Sequence, residues 1–227
     1  LGGDIGGTKT LLALAGKTGI ICERRYSSRD CNEFPTLLRA FLEEAAPGKP
    51  ITAACFGVAG PAEGNRAKVT YLPWVVDGMA LAGTFRLGRA VVINDFAAAA
   101  QGVAALPPED LVTLQEGRAA TDAPRLLIGA GTGLGVAALV PEGDGWRTIG
   151  GEGGHIGFAP ANEEQLSLWR HLQKPGGRVT AENVISGPGL AAIYDSLRKV
   201  SPGNTAIADP AGIVAAISTN SQAAQAL

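Results

Sequence analysis

Five polar residues stand where the 227-residue chain could do chemistry: Asn94, Asp95, Glu152, His155 and Glu182. Asn94-Asp95 follows the apolar run Ala90-Val91-Val92-Ile93, which reads as a buried parallel strand because it is short and does not alternate. Phe96 to Leu106 reads as the next helix. The dipeptide therefore lies at the carboxyl end of a strand, where open α/β sheets bind ligands. Capping of the helix by either side chain is the plainer reading, and the dipeptide alone favours it. A helix N-terminus would stabilise the Asp95 carboxylate and lower its pKa, making a weak base. Such a base suffices for phosphoryl transfer, where positioning matters more than proton affinity.

Glu152-x-x-His155 has a spacing that metal ligands use on helices. It lies among Gly150, Gly151, Gly153, Gly154 and Gly157, so a helix is not expected and the metal reading carries little weight. A structural histidine is the stronger alternative. Recognition of a sugar is the third, with carboxylate acceptors and an imidazole facing hydroxyl groups. Glu182 follows Thr180, an N-cap type, and would suit the first turn of a helix whether or not it binds anything.

Two glycine turns complete the candidate chemistry. Leu1-Gly2-Gly3-Asp4-Ile5 leads into Gly6-Gly7-Thr8, and a second apolar run follows from Leu11. Glycine permits positive φ and close backbone approach, so the turn could cradle a phosphate with its N–H groups. Asp4 could hold Mg²⁺, which takes one or two carboxylates and keeps waters. A plain β-hairpin explains this stretch equally well. The pattern recurs at Arg125–Ala130, Gly131-Thr132-Gly133 and Leu134–Val140, as an internal repeat at domain scale. Two such turns in matching contexts could clamp a polyphosphate.

The elements that must carry these residues are legible in order. An antiparallel meander is expected from Leu1 through Tyr26, then a helix from Glu33 to Ala46 with Asn32 as N-cap. A buried strand from Ile51 to Val58 and an extended stretch from Val69 to Trp74 follow, and Asp77 opens a short helix. Pro107-Pro108 marks a boundary, giving a small lobe over 1–106 and a larger one over 107–227. Beyond the repeat come a strand at Trp146–Ile149 and helices over Glu163–Gln173, Leu190–Lys199, Asp209–Ile217 and the tail. Alternating strands and helices define an α/β protein with a mixed sheet.

Composition narrows the function. Net charge is -2 and the basic residues are scattered, which argues against nucleic acid. The apolar runs are too short for a membrane span. Cys22, Cys31 and Cys55 are odd in number and lack a C-x-x-C pair, so neither a disulfide framework nor structural zinc is expected, and a cytoplasmic setting fits. The chain starts mid-strand without Met, so a few N-terminal residues are expected to precede Leu1.

Asp4-Ile5-Gly6-Gly7-Thr8, Ile93-Asn94-Asp95-Phe96, Gly129-Ala130-Gly131-Thr132-Gly133-Leu134-Gly135, Gly151-Glu152-Gly153-Gly154-His155 and Ala181-Glu182-Asn183-Val184-Ile185-Ser186-Gly187-Pro188-Gly189-Leu190 occur in one order. As a set the chain resembles the bacterial ATP-dependent glucokinases of hexokinase type, in the actin-like, ribonuclease H-like ATPase superfamily. The resemblance implies transfer of the ATP γ-phosphoryl group to the 6-hydroxyl of glucose, the first step of glycolysis. It implies Asp95 as general base and Asn94, Asp95, Glu152, His155 and Glu182 as sugar ligands. ATP phosphates with Mg²⁺ would meet Gly3, Asp4, Ile5, Gly6, Gly7 and Thr8 of the first turn and Gly131, Thr132 and Gly133 of the second, with Asp4 toward the metal. It also implies two lobes that close over the sugar, and a homodimer.

Two departures bear on this. The family has Thr-Asn before Leu-Pro-Trp, where this chain has Thr70-Tyr71, which leaves sugar selectivity open. Family members also continue past the equivalent of Leu227 with an adenosine motif and a final helix, so the second lobe and the adenine site are expected to be incomplete within this chain. The Cys-x-Cys-Gly zinc motif of the related ROK kinases is absent. A sugar- or nucleotide-binding module without turnover, a kinase for another hexose and an actin-like ATPase or phosphatase that uses water are the alternatives.

Overall fold

A computed structural model describes residues 1–45, 48, 50–103, 105–118, 120, 122–200, 207 and 209–227. The chain divides into two compact units, one of Leu1–Pro124 with Leu139–Gly150 and one of Arg125–Ala138 with Gly151–Leu227.

The first unit is built on strands β1 (Gly2–Ile5), β2 (Lys9–Gly16) and β3 (Gly19–Ser27), the expected antiparallel meander. Helix α1 (Phe34–Ala45) follows; Ala46 and Pro47, expected as its end, lie outside the described residues. Strand β4 (Ala54–Val58) then pairs parallel to β1. It is shorter than the expected Ile51–Val58, because Ile51 to Ala53 run outside the ladder. A small antiparallel sheet comes next, of β5 (Ala62–Glu63), β6 (Arg66–Lys68) and β7 (Val75–Asp77). Asp77 caps α2 (Gly78–Phe85) through the Ala80 N–H, as its position suggested. Strand β8 (Ala90–Asn94) pairs parallel to β4 and runs directly into α3 (Asp95–Val103). The five-stranded sheet has the order β3-β2-β1-β4-β8.

Its core joins segments that lie apart in sequence. The apolar face of α1, with Phe34, Leu37, Leu38 and Phe41 fully buried, packs on Ile5, Leu12, Phe56 and Val58. Phe34 meets Phe56 edge-to-face at 5.3 Å, an arrangement that favours the ring quadrupoles. Trp74 closes the cluster and donates its indole N–H to the Cys31 carbonyl at 3.2 Å.

One expectation fails here. Val69 to Trp74 is not an extended stretch but the link between β6 and β7, turned by Tyr71 at φ 67°. The hairpin before it is regular: Gly64 (φ 58°) and Asn65 (φ 64°) form the two-residue turn that matches strand twist. Asn65 then uses its side-chain amide to bond the Ala90 carbonyl and the Val92 N–H of edge strand β8, at 3.0 and 2.7 Å.

A three-stranded sheet of order β11-β10-β9 comprises β9 (Arg125–Ala130), β10 (Leu134–Glu142) and β11 (Gly145–Gly151). In the second unit, α4 (Glu163–Leu172) is capped by Asn162, and α5 (Gly187–Val200), α6 (Pro210–Ala215) and α7 (Ser221–Ala226) enclose Tyr194, Ile213 and Ala223. Asn220 caps α7 and also donates to the Tyr194 hydroxyl at 2.8 Å. Among the described residues no helix is long and apolar enough to cross a membrane.

Candidate active site

In the first unit the parallel register sets the geometry. Ile5 is level with Val58, and Val58 with Asn94, so the carboxyl ends of β1, β4 and β8 form one row. One position back, Asp4 is level with Gly57 and Gly57 with Ile93. A Cβ on Gly57 would come within 3.0 Å of the Ala98 Cβ and 3.4 Å of the Asp95 Cα. The missing side chain thus lets the first turn of α3 rest on the sheet beside Asp4.

Asn94 and Asp95 both work as caps. Asn94 Oδ1 accepts from the N–H groups of Phe96 and Ala97 at 3.0 and 3.1 Å. Its amide donates to the Gly60 carbonyl at 3.2 Å and to Asp95 Oδ1 at 3.0 Å. The Phe96 N–H also bonds Asp95 Oδ1, at 2.8 Å. Gly60 lies in the turn that Gly57-Val58-Ala59-Gly60-Pro61 suggests at the strand's carboxyl end, but it was not among the expected site residues. It is required because φ is 150° and a Cβ would meet the Lys68 carbonyl at 2.4 Å. Its place before Pro61 at a strand end was the available signal.

The direction of the Asp95 pKa corrects the sequence reading. The N-terminal N–H of Phe96 and the Asn94 amide do stabilise the ionised form, as anticipated. Burial outweighs them, and repulsion from Asp4 adds to it, so the carboxyl is raised above its ordinary value. Asp4 keeps solvent contact, yet partial desolvation raises it too.

The glycine turn is also held differently from expectation. Neither Gly6 nor Gly7 adopts positive φ. Gly7 is needed for space: a Cβ there would lie 2.6 Å from the Thr70 carbonyl. The Gly6 N–H closes the turn on the Lys9 carbonyl at 2.9 Å.

The second unit gathers Glu152, His155 and Glu182 with the second turn. His155 lies in a short 3₁₀ turn (Gly153–His155), and Glu182 in another (Ala181–Asn183) whose capping box joins Thr180 and Asn183. His155 Nδ1 is 3.6 Å from Glu152 Oε2, and Nε2 is 3.5 Å from Glu182 Oε1. The other Glu182 oxygen accepts from the Leu134 N–H at 2.9 Å. A Cβ on Gly133 would stand 2.6 Å from that oxygen. Gly153 and Gly154 serve close approach to β10, where Cβ atoms would meet the Val136 side chain at 2.9 Å and the Leu134 carbonyl at 2.2 Å. Gly131 bonds the Gly133 carbonyl through its N–H, at 2.8 Å. Such a set of carboxylates and imidazole offers acceptors and a donor for several hydroxyl groups. Among the described residues no group of three or more His, Cys, Asp or Glu could hold a metal ion.

Solved structures share this fold. A glucokinase from an Antarctic psychrotroph matches with a TM-score of 0.81 at 28% identity, covering all of this chain and 73% of that one. A glucokinase from Balamuthia mandrillaris, solved in complex with glucose, matches in fold with a TM-score of 0.74 at 22% identity, over 99% of this chain and 71% of that one. The fold is therefore that of the sugar kinases in the actin-like ATPase superfamily. More narrowly, the chain belongs to the glucokinase family, whose family model matches residues 1–227. The glucokinase of Trichormus variabilis is 42% identical over 206 residues, 87% of this chain and 60% of its own length. That of Chromobacterium violaceum is 37% identical over 198 residues, covering 86% and 56%. The chain thus spans about 60% of the length of such relatives.

Proposed function

We propose that the protein phosphorylates glucose with ATP, transferring the γ-phosphoryl group to the 6-hydroxyl. Membership of the glucokinase family supports this, and the Asp95 carboxyl is the observation that carries it. The Asn94 amide and the Phe96 N–H both donate to Asp95 Oδ1, so neither of these bonds occupies Oδ2. With its proton affinity raised by burial, the group is a better base than a capped surface aspartate. Asp95 takes the hydroxyl proton as the oxygen attacks phosphorus in line, and the proton moves late in a loose transition state.

Asn94, Glu152, His155 and Glu182 bind the sugar hydroxyls in this reading. Gly3, Asp4, Ile5, Gly6, Gly7, Thr8, Gly131, Thr132 and Gly133 receive the ATP phosphates. Asp4 fits a Mg²⁺ ion, since it and Asp95 repel each other and a cation relieves that repulsion. When bound, Mg²⁺ supplies neutralisation of phosphate charge. The whole protein works as a homodimer in the cytoplasm. Coupled ATP consumption with and without glucose tests the reading: glucose-dependent turnover is expected, and glucose-independent hydrolysis would overturn it.

A further inference from the structure

Thr10 and Ser28 are fully buried hydroxyl residues beside an apolar core, with their oxygens 2.9 Å apart. Ser28 reaches the first glycine turn twice. Its Oγ donates to the Gly6 carbonyl at 2.7 Å, and its backbone N–H donates to the Thr8 carbonyl at 2.9 Å. The single Ser28 hydroxyl proton is spent on Gly6, so Thr10 is the donor between the two hydroxyls. The chain is therefore directional: Thr10 to Ser28 to Gly6. A trans peptide points its N–H opposite to its carbonyl. Holding the Gly6 carbonyl toward Ser28 turns the Gly7 N–H away from it.

The second unit repeats the device with a different donor. There the Gly187 N–H bonds the Gly131 carbonyl at 2.8 Å, which turns the Thr132 N–H away from Gly187. In both turns the carbonyl of the leading glycine is tied back, and the next N–H is aimed by that tie. In the first turn the donor is a side chain, which substitution can remove.

We propose that Ser28, supported by Thr10, is a positioning residue that aims the Gly7 N–H at the ATP phosphates. The proposal rests on the kinase reading above and goes beyond it, since Ser28 is itself buried and touches no ligand.

Steady-state kinetics of the full-length protein tests it, with ATP and glucose varied separately. Ser28→Ala is expected to raise KM for ATP by about tenfold, the equivalent of one hydrogen bond to a charged group. KM for glucose should stay within about twofold, because no sugar ligand is disturbed. Thr10→Val should move KM for ATP the same way by less, since Ser28 keeps its bond to Gly6. If Ser28→Ala does not fold, Ser28→Cys carries the same expectation, as it nearly keeps the volume with a weak donor. An unchanged KM for ATP in a folded variant would overturn the proposal, as would both KM values rising together. A wild-type protein that consumes no ATP in response to glucose would instead overturn the kinase reading, and this proposal with it.

Discussion

The side-chain amide of Asn94 donates to Oδ1 of Asp95 at 3.0 Å, and the same oxygen accepts the Phe96 N–H at 2.8 Å. Both bonds fall on one oxygen of the carboxylate that the kinase reading makes the general base. Asp95→Asn keeps the shape and loses the base, so kcat should fall by about 10²–10⁴-fold while glucose affinity holds. Stopped-time assays beside glucose calorimetry would check this, and near-normal turnover would remove Asp95 from the role.

The pH dependence of stability follows from the same cluster. Asp95 and Asp4 are both raised above 3.8, each chiefly by desolvation. A carboxyl with a raised folded pKa binds more protons folded than unfolded, so it costs stability as pH rises from its unfolded value upward through its folded one. Asp95→Asn should therefore raise Tm at neutral pH, and the gain should vanish at about pH 3, where the aspartate is protonated in both states. Thermal melts at the two pH values decide it; an equal gain at both would contradict the assigned cause.

Gly133 and Glu182 form a matched pair in the second unit. A methyl group at 133 would stand 2.6 Å from Glu182 Oε2 and push it off the Leu134 N–H. Gly133→Ala is expected to weaken glucose binding by about tenfold, comparable to loss of one charged hydrogen bond. Isothermal titration with glucose reads this directly. Unchanged affinity would mean that the bond to Leu134 does not orient Glu182 for the sugar.

Tyr71 holds φ 67° with its side chain exposed to solvent, at 86%. Left-handed backbone costs an L-residue about 1–2 kcal/mol, and asparagine tolerates it better. Tyr71→Asn should accordingly stabilise the protein by up to about 1 kcal/mol, a rise of about 2–4 °C in Tm for a chain of this size. Calorimetry would show it. A lower Tm would mean that the tyrosine ring contributes contacts that outweigh the backbone cost.

Much of this molecule was legible before its structure was known. The meander, the strand before Asn94, the repeat of strand, glycine turn and strand, and the Asp77 cap follow from local hydrophobic pattern and cap chemistry. Such signals act within a few residues, so they survive in sequence. Asn94, Glu152, His155 and Glu182 were also visible as types and spacings, while the ties that orient Glu182 lie far off in the chain, at Leu134 and His155.

What folding alone decided concerns solvation and distance. Local logic predicted a lowered Asp95 pKa from its helix N-terminus; burial against β4, with Asp4 nearby, reversed the direction. Gly7 is constrained by Thr70 and Gly133 by Glu182, and neither pair is close in sequence. The bond from Ser28 to Gly6 spans 22 positions. Composition and spacing determine which groups a chain can offer. Their water, their neighbours and the direction of their N–H groups arise only when segments far apart in sequence pack to contact, where desolvation and steric exclusion act over a few ångströms.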